Sequence, residues 1–441
     1  MKNSCTPRNR HRRFACLLGL LLLMIMTRYA FQVDLPRVIF LVVITMIVLL
    51  GDQDEIVAMI ICCIPLHESI DFFYALVICT AVYVCKYFRQ IRVGSSVFVV
   101  FACIIWELLH CFRSTFSPVT FIGNMIPFII LAVLMASPCE RLDYAFVVRM
   151  FALVTLSVSI ILFMRVLFFA NFNISMAIAG LQRLGSDRHS SIVNVKVSGG
   201  QINPNTLGIV TVLASTGLMQ LRSMGAGTRR DLVLMCAMIV FAALGTSRTF
   251  LICLVLMVVL LILSEQGGIL KKAKVFAMLT LAAVVTVIAT AVLFTDTFEF
   301  YVSRFFVQDI TTGRDVLMMQ YHDYIINNPK VMAFGIGLQD FGDRLIFVYR
   351  VAQNAPHNSV QELIIAWGIP GLFLFISLFL NIFSDAFQHN PKGILLNSIP
   401  MIIIIFKGMA GQMLYSSYTM LAFSFAYLSL CADMTRRVGA K

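Results

Sequence analysis

The chain has 441 residues, of which 60% are hydrophobic and only 13% are charged, and its formal net charge is +12. Soluble domains are usually about a quarter charged, so this composition excludes a water-soluble globular fold. The positive charge could indicate a nucleic-acid partner, but much of it lies beside the first and last apolar runs, within residues 1–13 and 433–441. Basic residues next to membrane spans mark the cytoplasmic side. We therefore predict two cytoplasmic ends and no nucleic-acid partner.

Apolar runs follow one another along most of the chain. They cover residues 14–27, 38–50, 55–66, 70–85, 97–111, 119–136, 145–170, 205–221, 231–246, 248–264, 274–294, 358–383, 395–410 and 412–431. A membrane-spanning helix needs about 20 residues, and several of these runs are shorter. We predict an all-α polytopic integral membrane protein with about 12–14 transmembrane helices. The first run lacks a convincing cleavage site, so we interpret it as an uncleaved span rather than a signal peptide.

The charges between the runs predict the orientation of the chain. The short loops at 86–92, 222–230 and 271–274 are basic, which places them in the cytoplasm. A transmembrane bundle over residues 14–294 then carries an outer loop at 171–204. Residues 295–357 form one large extracytoplasmic loop with an amphipathic helix, and residues 358–432 form the C-terminal transmembrane helices. We see no internal repeat of the kind that builds many transporter folds.

The segment from Pro356 to Glu362 combines a histidine with a helix start. Ser359 and Glu362 have the spacing of a capping box, which predicts a helix beginning near Ser359 with His357 just before it. The positive end of the helix dipole disfavours an imidazolium, so His357 would be a neutral imidazole that can act as a general base. The alternative is an interfacial histidine that bonds to loop carbonyl groups.

Two arginines are candidates for binding an anion. Arg248 lies at the predicted outward tip between two apolar runs, where a charge is costly unless it is functional or extends to the headgroups. Arg314 lies in the first turn of a predicted helix of the large loop, which Asn328 and Pro329 end, and a glycine-rich segment, 334–337, forms a flexible return. A guanidinium matches phosphate oxygens with two parallel hydrogen bonds, but Arg314 could equally be a solvated surface residue.

Other polar residues support weaker interpretations. Glu107 and His110 lie one helical turn apart near the outer end of a run, and a buried pair or contact with the headgroups is a simpler interpretation than catalysis. The same interpretation covers Arg149, Arg165 and Lys407. The twelve cysteines lie mostly in apolar runs and are typical of small buried hydrophobes. We find no metal-binding motif and predict no metal and no cofactor.

These motifs also occur together in a known order. The order is Asn203-Pro204-Asn205, Ser247-Arg248, Gly313-Arg314 with Asn328-Pro329 and Gly335-Ile336-Gly337, and then His357-Asn358 with Gly368 and Gly371. In this order, mainly over residues 200–375, the chain resembles the O-antigen polymerase and O-antigen ligase superfamily. The family often has an acidic residue where Trp367 stands, and a leucine where Val360 stands. These differences leave the acceptor side open.

The resemblance implies a glycosyltransferase of the bacterial plasma membrane. Its donor would be an undecaprenyl diphosphate-linked oligosaccharide, and flippase and chain-length regulator proteins are expected partners. Arg248 and Arg314 match the arginines thought to hold the diphosphate, and His357 matches the histidine proposed to activate the acceptor. The candidate substrate-binding residues are Asn358, Asn205, Arg183 and Arg188.

The resemblance leaves the product open. A polymerase would join repeat units into O-antigen, capsule or exopolysaccharide, and this is the function we favour. A ligase would transfer the glycan to the lipid A core. A lipid-linked oligosaccharide transporter is a further alternative, but it would need charged residues deep in a central cavity.

Overall fold

A computed structural model gives the fold. It describes residues 11–112, 117–137, 142–174, 176–177, 204–245, 247–264, 268, 270, 272–274, 277, 295–303, 314–338, 358–389, 393–409 and 417–432. Throughout these residues the regular elements are helices, as predicted. Most of the predicted run 274–294 and of the predicted loop 171–204 lies outside the described residues.

The helices follow the apolar runs closely. In the first part of the chain they are α1 (Arg12–Tyr29), α2 (Arg37–Leu50), α3 (Gln53–Leu66), α4 (Phe72–Tyr87), α5 (Ser95–Cys111), α6 (Pro118–Met135) and α7 (Tyr144–Phe169). They continue as α8 (Pro204–Ser223), α9 (Arg229–Leu244), α10 (Arg248–Ser264), α11 (Thr295–Val302), α12 (Arg314–Asn327), α13 (Pro329–Phe334), α14 (Ser359–His389), α15 (Ile394–Met409) and α16 (Ser417–Leu430). Hydropathy located most of these helices, whereas α11, α12 and α13 lie within the predicted large loop, 295–357.

The predicted fold class, an all-α polytopic membrane protein, is confirmed. Within the described residues, four helical segments are long and apolar enough to cross a bilayer: Phe72–Gln90, Pro118–Met135, Tyr144–Phe169 and Ser359–Gln388. Five shorter apolar helices accompany them: Arg37–Leu50, Ser95–Cys111, Arg248–Ser264, Ile394–Met409 and Tyr418–Leu430. The number of spans, 12–14, stays a prediction, as does the division of the chain into inner and outer segments.

The chain divides into two compact units. The first consists of Met1–Gly94, Ile129–Ser247 and Tyr427–Lys441, and the second of Ser95–Phe128 and Arg248–Ala426. In the first unit α3 is the central helix, with every residue from Asp54 to Leu66 buried, and it packs against α7. Its start is fixed by a capping box in which Asp52 and Glu55 each accept a backbone N–H of the other.

An ion pair also joins two helices of the first unit. Arg149 on α7 donates two hydrogen bonds of 3.0 Å to the carboxylate of Asp231 on α9. Asp231 is buried and caps its own helix together with Thr228. The sequence left two alternatives for Arg149, contact with the headgroups or a buried pair, and the structure shows an ion pair with a buried carboxylate.

The second unit is organised around α14, the longest helix. α14 packs against α5, α12, α13 and α15, and α10 packs against α15. It is not straight, because Gly368 has non-helical angles (φ 69°, ψ −174°) in its middle. This kink and the start of α14 are the two features that position the candidate site.

Candidate active site

The start of α14 carries the predicted histidine segment. The helix begins at Ser359, as predicted, but its cap is not the one we expected. The side-chain oxygen of Asn358 accepts the backbone N–H groups of Val360 (2.9 Å) and Gln361 (3.3 Å), as an N-cap residue does. Ser359 and Glu362, the predicted capping pair, are instead buried at 3% and 0% exposure. His357 lies outside the described residues.

The helix that begins with Arg314 is held against this helix start. The side-chain amide of Gln361 donates a hydrogen bond of 2.8 Å to the backbone carbonyl of Met318 on α12. Arg314 precedes Met318 by four residues, which is about 6 Å of helical rise, and Asn358 precedes Gln361 by three. The first residues of α12 and of α14 thus each lie about one helical turn from the hydrogen bond between Gln361 and Met318. Only the backbone of Arg314 is described.

The faces of α12 differ in part from the expected pattern. Leu317, Tyr321 and Tyr324 have the spacing of residues on one helical face, and all three are half-buried. Burial raises the pKa of the Tyr321 hydroxyl, which keeps the phenol neutral and able to donate. The opposite face includes the exposed apolar residues Val316 and Met319, so this face is not purely polar.

The glycine-rich segment after α13 packs tightly, contrary to the flexible return that we predicted. Gly335 and Gly337 have positive φ angles of 75° and 85°. A Cβ on Gly335 would lie 2.3 Å from the carbonyl oxygen of Ala366, and one on Gly368 would lie 2.7 Å from the backbone of Phe334. Both substitutions would place a side chain where another backbone already lies, so these glycines permit a close approach between chain segments.

Two backbone hydrogen bonds join this segment to the kink of α14. The N–H groups of Ile336 and Gly337 donate to the carbonyl groups of Ile365 (2.9 Å) and Ala366 (2.7 Å). In a regular helix Ala366 would accept from residue 370, but Pro370 has no N–H. The kink therefore exposes carbonyl groups that the returning segment satisfies.

Two residues for which we expected no catalytic role complete this arrangement. Glu107 on α5 accepts hydrogen bonds from the backbone N–H of Leu338 and from the indole of Trp367. His110, one turn later, contacts the carbonyl oxygen of Phe334. The signal that could have found them is two ionisable side chains, one turn apart, inside an apolar run.

The motif around Arg248 is positioned by its own helix and by a neighbouring contact. Arg248 is the first residue of α10 and is half-buried. In the first unit, the hydroxyl of Ser247 donates a hydrogen bond of 2.6 Å to the side-chain oxygen of Asn205. Asn205 and Ser247 are therefore in direct contact, and the role of Asn205 in substrate binding stays a prediction. Arg183 and Arg188 lie outside the described residues.

One group of side chains in the described part of the chain could offer three ligands to a metal ion. It consists of His11, Asp52 and Glu55 in the first unit. The two carboxylates already form the cap of α3, and His11 lies 2.9 Å from a Glu55 oxygen and stacks on Phe146. These contacts give the three side chains a structural role at the helix start.

A family comparison matches a segment in the second half of the chain. Residues 232–376 match the family model described as O-antigen ligase. This match supports the resemblance to the O-antigen polymerase and ligase superfamily. The match covers about a third of the chain and includes Arg248, Arg314, His357 and the glycines of the kink, whereas Asn205 precedes it. No curated protein matches the chain.

The matching family indicates the general function. Its members are glycosyltransferase-like enzymes that act as ligases or polymerases. The chain is therefore a membrane protein of glycan processing. Within the matched region, the structure brings α12, which begins at Arg314, into contact with the start of α14.

Proposed function

We propose that this protein polymerises undecaprenyl diphosphate-linked oligosaccharide repeat units into a surface polysaccharide. The reaction takes place on the outer face of the bacterial plasma membrane, and both chain termini lie in the cytoplasm. The observation that carries the proposal is the contact between Gln361 and the Met318 carbonyl group. It holds the helix that starts with Arg314 beside the helix that starts just after His357.

The proposed transfer has a balanced mechanism. A hydroxyl group of the acceptor sugar attacks the anomeric carbon of the donor, and His357 takes the hydroxyl proton as general base. The bond between the anomeric carbon and the diphosphate oxygen breaks, and the undecaprenyl diphosphate leaves with the electron pair. Arg248 and Arg314 stabilise the negative charge that develops on this leaving group.

The start of α14 suits His357 to this role. The cap supplied by Asn358 fixes the first turn of the helix, and the partial positive charge at a helix start disfavours an imidazolium. His357 directly precedes this cap. A neutral imidazole is the form that can accept a proton.

The test uses membranes that contain the wild-type protein or one variant, supplied with the matching lipid-linked repeat unit. His357→Ala, Arg314→Ala and Arg248→Ala should each abolish the ladder of products on a gel. Two exposed residues, His322 and Arg230, provide matched controls, and His322→Ala and Arg230→Ala should leave the ladder intact. Full-length products from two of the three site variants would refute the site.

The ligase is the second candidate, because the matching family model is described as O-antigen ligase. The same donor is then presented together with a lipid A core acceptor. A ladder from repeat units alone supports the polymerase. Transfer only when the core acceptor is present supports the ligase. Transfer in neither assay would overturn both and leave transport of the lipid-linked glycan as the function to test.

A further inference from the structure

Helix α5 buries two ionisable side chains on one face. Glu107 is 0% exposed and His110 is 6% exposed, in a helix that is otherwise largely apolar. Burying ionisable groups at membrane depth is costly, and such groups are expected to have specific partners. Both residues make their hydrogen bonds to the same short segment of the chain and to the kink of α14.

Glu107 accepts hydrogen bonds from a backbone N–H group and from an indole. Its two carboxylate oxygens lie 2.9 and 3.0 Å from the backbone nitrogen of Leu338, and one of them lies 2.7 Å from the indole nitrogen of Trp367. An ionised carboxylate only accepts hydrogen bonds. These three contacts therefore fit the charged form of Glu107.

The partners of His110 are both carbonyl oxygens. Its Nδ1 lies 2.7 Å from the carbonyl oxygen of Trp106, and its Nε2 lies 2.5 Å from that of Phe334. A carbonyl oxygen only accepts, so each ring nitrogen must carry a proton to make these bonds, and this requires the imidazolium. The protonation is assigned from these partners. Together Glu107 and His110 form a buried pair of opposite charges that binds both ends of segment 334–338.

Further contacts make this attachment close and directional. The indole of Trp106 donates to the carbonyl oxygen of Trp367 at 2.9 Å, so α5 contacts the backbone of α14 just before its kink. A Cβ on Gly337 would lie 2.8 Å from the Cβ of His110. The segment cannot shift along α5 without breaking hydrogen bonds to both charged side chains.

We propose that Glu107 and His110 are positioning residues, which hold segment 334–338 against α5 and α14 and thereby hold the Arg314 helix at the site. The inference rests on the proposed function, in which Arg314 binds the donor diphosphate. Segment 334–338 lies in the sequence between Arg314 and His357. At one end, the stretch from α12 to residue 338 is attached through the Gln361–Met318 contact. At the other end, the charged pair holds it together with the backbone hydrogen bonds to Ile365 and Ala366.

Loss of the contacts made by Glu107 or His110 should loosen segment 334–338 and let α12 move, while α5 stays folded. Glu107→Gln keeps the size of the side chain but directs an amide N–H₂ group at a backbone or indole N–H. We expect a loss of kcat of about tenfold to a hundredfold, the equivalent of one hydrogen bond to a charged group. His110→Gln should act in the same direction, because it cannot supply the positive charge. Glu299 and His322 are exposed, so Glu299→Gln and His322→Gln are the matched controls and should keep the wild-type kcat.

The position of α12 can be measured without any activity. Cysteines at Met319 and Val360, which are exposed neighbours of the contacting residues, would be linked by a flexible bismaleimide. The exposed native cysteines of the described residues, Cys16, Cys85 and Cys236, are first replaced by serine. Cys5 and Cys139, which lie outside the described residues, are replaced as well. Cross-linking should be fast in this background and at least several-fold slower with Glu107→Gln. The cross-link, once formed, should restore part of the activity that Glu107→Gln loses.

The outcomes separate a positioning role from a merely structural one. A lower thermal stability with unchanged cross-linking and no rescue would overturn the proposal, as would wild-type kcat in Glu107→Gln. If Glu107→Gln does not fold, Trp367→Phe is used instead. It removes only the indole N–H that donates to Glu107, and it should slow cross-linking by a smaller factor. If the wild-type protein makes no polymer, the proposed function fails, but the cross-linking rates still decide whether Glu107 and His110 hold α12.

Discussion

The kink of α14 gives the sharpest test of the packing, through the substitution Gly368→Ala. Gly368 has φ 69° and ψ −174°, a region that is accessible essentially only to glycine. An alanine Cβ there would also lie 2.7 Å from the backbone N and C of Phe334. Backbone atoms cannot rotate away as the end of a side chain can. Either α14 straightens or segment 334–338 leaves its place.

The magnitude follows from these two costs. A non-glycine residue in such a conformation costs about 1–3 kcal/mol. Displacing the segment breaks the bonds from Ile336 to Ile365 and from Gly337 to Ala366, at about 0.5–1.5 kcal/mol each. Both effects together lower the free energy of unfolding by about 2–6 kcal/mol if they add. The cost falls at the lower end if the helix can straighten.

The assay is unfolding of the purified protein in mixed detergent micelles, followed by the product ladder in membranes. Gly19→Ala is the matched control, because Gly19 lies in α1 with nothing within 4 Å of its Cβ position. This control should be neutral or stabilising by up to about 1 kcal/mol. If Gly368→Ala unfolds within about 0.5 kcal/mol of the wild type and keeps its ladder, a surface-like response, the kink is not packed as described.

Further predictions concern the ion pair, the helix cap and metal independence. Arg149→Ala should lower the free energy of unfolding by about 1–3 kcal/mol, because it leaves the buried carboxylate of Asp231 without its guanidinium partner. Adding Asp231→Asn should recover part of that loss. A double variant that is no more stable than Arg149→Ala would contradict the role of the ion pair. Asn358→Ala should lower the free energy of unfolding by about 0.5–2 kcal/mol, and Asn358→Asp should lower it much less, since aspartate also caps a helix. Identical unfolding curves for Asn358→Ala and the wild type would show that the cap does not contribute to stability. Polymer formation should persist in a chelator, because the proposed leaving group is stabilised by arginines; strict dependence on a divalent ion would refute the metal-free transfer.

The sequence by itself determined the class of the protein and the position of its helices. Long apolar runs must satisfy their backbone hydrogen bonds internally within a bilayer, so hydropathy located α1, α7 and α14 to within a few residues. The start of α14 was also predicted, since its signal lies within a few neighbouring residues. The order of the motifs indicated the superfamily for the same reason, because every one of them is a short local pattern.

The tertiary structure decided which distant residues contact one another. Glu107 and Leu338 are 231 positions apart, and no local pattern in the sequence relates them. The same holds for Gly335 and Gly368, whose lack of a side chain matters only because another backbone passes at that point. A buried charge takes whichever partners the packing brings to it. The sequence could therefore indicate that Glu107 and His110 needed partners, but only the packing of α5, α14 and segment 334–338 determined which ones.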